Sequence, residues 1–148
     1  MRLSPDNDFL AIADATNDQI VLVYFALQES PRPTIRVSRV YALKSDYLRY
    51  PHGLAFLGNK TIVVASRLGD VAAFRLPGDS ECTEVFAEPL FLVAESEKTK
   101  VQNPGSVDVY KLADGTFRML VCNNHLHTVT AHKIKLEEGV SVTGHRVV

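Results

Sequence analysis

Five side chains in this 148-residue chain have the chemistry to hold a ligand: His52, Arg67, Asn103, Asn123 and Asp14. Arg67 brings a permanent cation with a fork of N–H donors, and His52 a ring whose charge changes near neutral pH. Asn103 and Asn123 carry amides that donate and accept at once. Asp14 and Asn123 have oxygens of the kind Ca²⁺ takes. Hard cations want about 6–8 such ligands, and too few carboxylates come together here, so no metal and no cofactor is expected. His125 and His127 would point to one side of an extended segment, but two histidines without a third ligand are weak ground for zinc. Each candidate also has a plainer reading. His52 between Pro51 and Gly53 can cap backbone groups, asparagine is common at turns because it tolerates the left-handed conformation, and Arg67 with Asp70 can be a simple turn ion pair.

No nucleophile motif accompanies these residues. The chain has no Gly-x-Ser-x-Gly and no glycine-rich phosphate loop. Neither Cys82 nor Cys122 stands beside a base in the sequence, and the two read as unpaired thiols.

The elements that must position the five residues are strands. The stretch Pro51–Pro77, PHGLAFLGNKTIVVASRLGDVAAFRLP, holds three short apolar runs separated by Gly58-Asn59-Lys60 and Leu68-Gly69-Asp70. Each run is too short for a helix and rich in β-branched or aromatic residues, the mark of an antiparallel meander. Before it lie the turn LSPDND, then Phe9–Ala13, Ile20–Leu27 and Thr34–Leu43. After it come Val85–Ala94, which contains Pro89 and so belongs on an edge or at a bulge, then Ser106–Leu112, Phe117–Cys122, Thr128–Leu136 and Val140–Val148. No helix of useful length is expected.

Three units, approximately 1–50, 51–102 and 103–148, superimpose on one another. LAIAD, IVVAS and LVCN share the second-strand position, at Leu10–Asp14, Ile62–Ser66 and Leu120–Asn123. A period of roughly 40–50 residues with about four strands each predicts an all-β chain of β-propeller blades, four-stranded antiparallel meanders packed face to face. Strand direction alternates in a meander, so the entry before each first strand and the turn after each second strand share one end. That end collects Asp14, His52, Arg67, Asn103 and Asn123, with His52 and Asn103 innermost.

At these residues the chain resembles a known group. PHGLAFL…TIVVASRLGDVAAFRLP looks like the blades of NHL-repeat and YVTN-type propellers, in which Pro-x-Gly enters the inner strand, and Asn103-Pro104-Gly105 repeats that entry. LSPDNDFLAIADATNDQIVLVYF is also similar to WD-repeat and lactonase-type blades, although the Trp-Asp of WD repeats is absent. The resemblance implies a binding module that presents its loop face to a small-molecule, glycan or protein ligand. The alternative is a lactonase-like hydrolase using polar groups of the channel face.

A net charge of −1 gives no reason to expect nucleic-acid binding. No apolar run approaches the ~20 residues of a membrane span, and the first residues lack the apolar core of a signal peptide. About three units, where propellers close with about 4–8, predict an open arc. Its apolar ends are expected to meet a second copy or the remaining blades of a longer chain.

Overall fold

The computed structural model describes residues 1–29, 31–78, 82–136 and 141–148. Among them there are strands and no helix, so no helix is long and apolar enough to cross a membrane. The first sheet holds β1 (Arg2–Leu3), β2 (Phe9–Asp14), β3 (Gln19–Gln28) and β4 (Thr34–Lys44). The middle sheet holds β5 (Pro51–Phe56), β6 (Thr61–Ser66) and β7 (Val71–Arg75). Two short strands, β8 (Glu84–Phe86) and β9 (Phe91–Val93), complete these two sheets. The third sheet holds β10 (Pro104–Lys111), β11 (Phe117–Asn123), β12 (Thr128–Lys135) and β13 (Ser141–Val147). Chain neighbours pair antiparallel within each sheet.

The sheets stack face to face with the middle one buried on both sides. Successive side chains on a strand point to opposite faces. Ile62, Val64, Ala72 and Phe74 accordingly join Phe9, Ala11, Ile20, Leu22, Tyr41 and Leu43 of the first sheet in one core. Their neighbours Val63, Ala65, Val71 and Ala73 join Val107, Met119, Val121 and Ile134 of the third sheet in another. IVVA is therefore apolar throughout because it has no wet face. Along FLAIAD and FRMLVCN burial alternates instead, one face in a core and one facing outward, although FLAIA is itself apolar throughout. The sheets are open and form no closed ring.

The run Val85–Ala94, expected as one strand, is two strands in different sheets. β8 pairs parallel with β4 of the first sheet, Leu43 opposite Val85, whereas β9 pairs antiparallel with β7, Ala72 opposite Leu92. The break falls at Glu88-Pro89, where proline offers no N–H to a ladder. Pairing resumes when Leu90 N donates to Ala73 O at 2.7 Å. The first sheet also gains the two-residue β1, whose Leu3 lies opposite Leu10. Of Val140–Val148, Val140 lies outside the described residues and Ser141–Val147 is a strand.

Candidate functional site

Four of the five residues gather where the inner strands of the middle and third sheets cross. Both strands open with the same distortion. Pro51 pairs with Ser66 but Gly53 with Ala65, and Pro104 pairs with Asn123 but Ser106 with Cys122, so one residue bulges out of each ladder. His52 and Gly105 are those extra residues. The backbones touch here, since a Cβ on Gly53 would stand 2.7 Å from Ser106 Cα and 2.8 Å from Val107 N. That approach brings the His52 ring to the Gly105 carbonyl, which accepts a hydrogen bond from Nδ1 at 2.7 Å. Nδ1 thus carries a proton, and Nε2 is the other nitrogen of this exposed ring.

The residue before each proline, Tyr50 and Asn103, has positive φ, 56° and 47°. This turns its carbonyl toward the turn that follows the second strand. Tyr50 O accepts from Arg67 N at 3.0 Å, and Asn103 O from Asn124 N at 3.2 Å. Two side chains extend the line. Asp18 Oδ1 accepts from Tyr50 N at 2.6 Å, and Asn103 Nδ2 donates to Arg67 O at 2.8 Å. One relay, Asp18–Tyr50–Arg67–Asn103–Asn124, therefore ties together the turns at this end of all three sheets.

Within this end the residues differ in what they have left to offer. Arg67 is half-buried, and its Nε is buried with no hydrogen-bond partner. Asn103 spends one amide hydrogen on Arg67 O and keeps Oδ1. Asn123 is only 1% exposed and fully engaged. Its Oδ1 accepts from Gln102 N at 3.0 Å, and Nδ2 donates to Val121 O and Thr130 Oγ1 at 3.3 and 3.2 Å. It is a buried strut that fixes the entry to β10. Asp14 is not hydrogen-bonded to the other four. Its carboxylate accepts from the Asn17 and Gln19 side-chain amides, each at 2.8 Å, and this holds its pKa below the ordinary aspartate range. It organises the turn between β2 and β3. His125 and His127 are exposed, and among the described residues no three His, Cys, Asp or Glu side chains cluster as metal ligands would.

A second polar array, of residues that their sequence does not single out, lies beneath Asn123. Thr130 Oγ1, which accepts from Asn123, also lies 2.9 Å from Nε2 of fully buried His132 and hydrogen-bonds to it. On its other side, Nδ1 of His132 hydrogen-bonds to Nδ1 of His145 at 2.7 Å, one ring donating to the other. Burial pushes the pKa of His132 down to about 4, with the neighbouring His145 adding to the effect. His145 is lowered too, by burial and then by the Lys98 cation. Alternation was the available signal: Thr130, His132 and Ile134 lie opposite Val121, Met119 and Phe117, on the core-facing row.

Two concavities exist near these elements, and neither is lined by His52, Arg67 or Asn103. One, of about 400 Å³, lies among Glu95, Glu97, Lys100, Gln102 and Leu126. The other, of about 410 Å³, lies on the outward face of the third sheet among Arg2, Asp108, Leu120, Cys122 and Val129. Tyr50 and His52 are exposed at the polar end, where an extended partner can lie against them. The chain matches no protein-family model and no curated protein.

Proposed function

We propose that the three sheets are consecutive blades of an NHL- or YVTN-like propeller arc, and that the chain is a binding module whose loop end takes an extended polar ligand. The reading is carried by Arg67: a half-buried guanidinium set on a relay that joins the turns of three sheets. Nε itself is covered by protein, so the remainder of this half-buried side chain is what a ligand can reach. Beside it, Asn103 supplies an acceptor and His52 an exposed imidazole nitrogen. A carbonyl or carboxylate oxygen of a peptide or glycan fits the guanidinium, and a neighbouring N–H or hydroxyl fits Asn103 and His52.

Selection from a random-peptide display library, followed by calorimetric titration of the enriched peptides, tests this. Arg67→Met and His52→Ala should each weaken binding at least about tenfold, the loss of one charge-assisted hydrogen bond, without moving the thermal midpoint. Enriched peptides that bind both variants as tightly as the parent would refute the site. Turnover of an aliphatic lactone by the parent, lost in His52→Ala, would move the reading to the hydrolase.

A further inference from the structure

The two outward faces of the stack have the residue pattern of the interfaces inside it. Consider first the faces that receive a preceding sheet. The middle sheet presents Ile62, Val64 and Ser66 on β6 with Ala72 and Phe74 on β7, all buried. The third sheet presents Met119, Val121 and Asn123 on β11 with the Thr130 row on β12, also buried. The first sheet presents Leu10, Ile12 and Asp14 on β2 with Val21 and Val23 on β3. The order on the second strand is the same each time, two apolar residues and then a polar one at its end. Only in the first sheet is that face half-exposed.

The faces that receive a following sheet agree as well. Ala11 and Ala13 with Ile20 and Leu22 pack on the middle sheet, and Val63 and Ala65 with Val71 and Ala73 on the third. The corresponding row of the third sheet is Leu120 and Cys122 with Val129 and Ala131. Ala131 is buried, but Leu120 and Val129 are half-exposed and Cys122 is exposed, around the 410 Å³ groove. Both open faces therefore continue an interface that the chain makes twice internally.

Apolar surface extends the open face of the first sheet beyond β2. β3 and β4 run on as a two-stranded arm, with Leu27 opposite Ile35 and Phe25 opposite Val37. Leu27, Ile35 and Val37 are 66%, 67% and 54% exposed. An apolar strip of this kind on a soluble protein marks a contact surface.

We propose that the outward face of the first sheet is covered by the outward face of the third sheet of a second copy of this chain. The contact is head-to-tail, and the two faces are the complementary halves of one interface. Curvature decides how far it propagates. Arg2 on β1 forms an ion pair with Asp108 on β10, so the inner edges of the first and third sheets come within one side-chain pair of each other. A head-to-tail contact repeated along so curved a stack closes on itself instead of growing a fibre. Two copies then form a ring of six sheets. The proposal does not depend on what the loop end binds.

Sedimentation equilibrium over a concentration series tests it. The parent should weigh twice its 16.4 kDa monomer mass at high concentration. Val23→Lys and Leu120→Lys should each raise the dissociation constant about tenfold or more, since each puts an unpaired charge into an apolar contact. Mixing the two variants should restore pairing, because one intact copy of each face remains. Should either variant fail to fold, Ile12→Cys on a Cys82→Ser background is the second route. It should form an intermolecular disulfide with native Cys122 under mild oxidation, whereas Thr143→Cys should not. A chain that stays monomeric at every concentration overturns the proposal. So does an assembly that survives both lysines, or Ile12→Cys that crosslinks no better than Thr143→Cys.

Discussion

The buried imidazole of His132 makes the stability of this protein depend on pH in a window that can be calculated. An unfolded histidine takes a proton below about pH 6.5, but folded His132 stays neutral until about pH 4. Stability is complete above the unfolded value and falls as pH drops through the interval between the two. One pKa unit corresponds to about 1.4 kcal/mol, so by about pH 4.5 the loss reaches about 2–3 kcal/mol. His145 is shifted in the same direction and adds to the loss. The carboxylates held low by hydrogen bonds, Asp14 and Asp114 among them, lose their contribution only as pH falls below the ordinary carboxylate range. The interval above about pH 5 therefore belongs to histidine. Urea midpoints taken from neutral pH downward should fall across it, and His132→Leu should flatten the slope. A parent and variant with equal slopes would refute the reasoning, as would an NMR titration that places the His132 ring near the unfolded value.

Three further outcomes follow from packing and backbone geometry. Gly53→Ala should cost about 1–3 kcal/mol or more, because its Cβ meets the Ser106 and Val107 backbone, which has no room to yield. Gly105→Ala should cost much less, since the nearest atoms its Cβ meets all belong to the side chain of exposed Asn124, and thermal melts of the pair distinguish the two. Phe74→Ala, fully buried between the first and middle sheets, should lower stability by about 3–5 kcal/mol in chemical denaturation. Asn103→Ala should be about 1–2 kcal/mol less stable than Asn103→Gly, because position 103 has φ of 47°. Equal urea midpoints would mean that the backbone there relaxes.

Strand positions were legible because short β-branched runs between Gly, Asn and Asp turns leave the chain few alternatives. TIVVAS also announced its burial on both faces, since no residue before Ser66 has a polar side chain apart from the opening Thr61. The partner of a strand is a different matter. Val85–Ala94 reads as one apolar run, and nothing in its composition says that its two halves serve different sheets. Proline marked the break but not the destination. The candidate site divides along the same line. The parity of connections brought His52, Arg67, Asn103 and Asn123 to one end, as strand alternation requires. Which of them keeps a free polar group depended on local distances. Asn123 and Asn103 are the same residue type at similar turns, yet one is sealed by Gln102 and Thr130 while the other keeps an oxygen. His132 was hidden by its neighbours, because a lone histidine in TVTAHKIK reads as one polar residue among several until its row is known.

The path of the chain through β8 has a consequence for how the molecule comes apart. After β7 the backbone leaves the middle sheet, lays β8 along the outer strand of the first, and returns to the middle sheet as β9. The first and middle sheets are thereby laced by backbone hydrogen bonds as well as by apolar contact. The third sheet, by contrast, pairs its strands only among themselves. Separating the first two sheets means unzipping a ladder, whereas the third can lift away by parting side chains and a few loop bonds. Amide exchange in the native state should therefore show two tiers, with the β10–β13 protons opening together at lower free energy than those of β3 and β6.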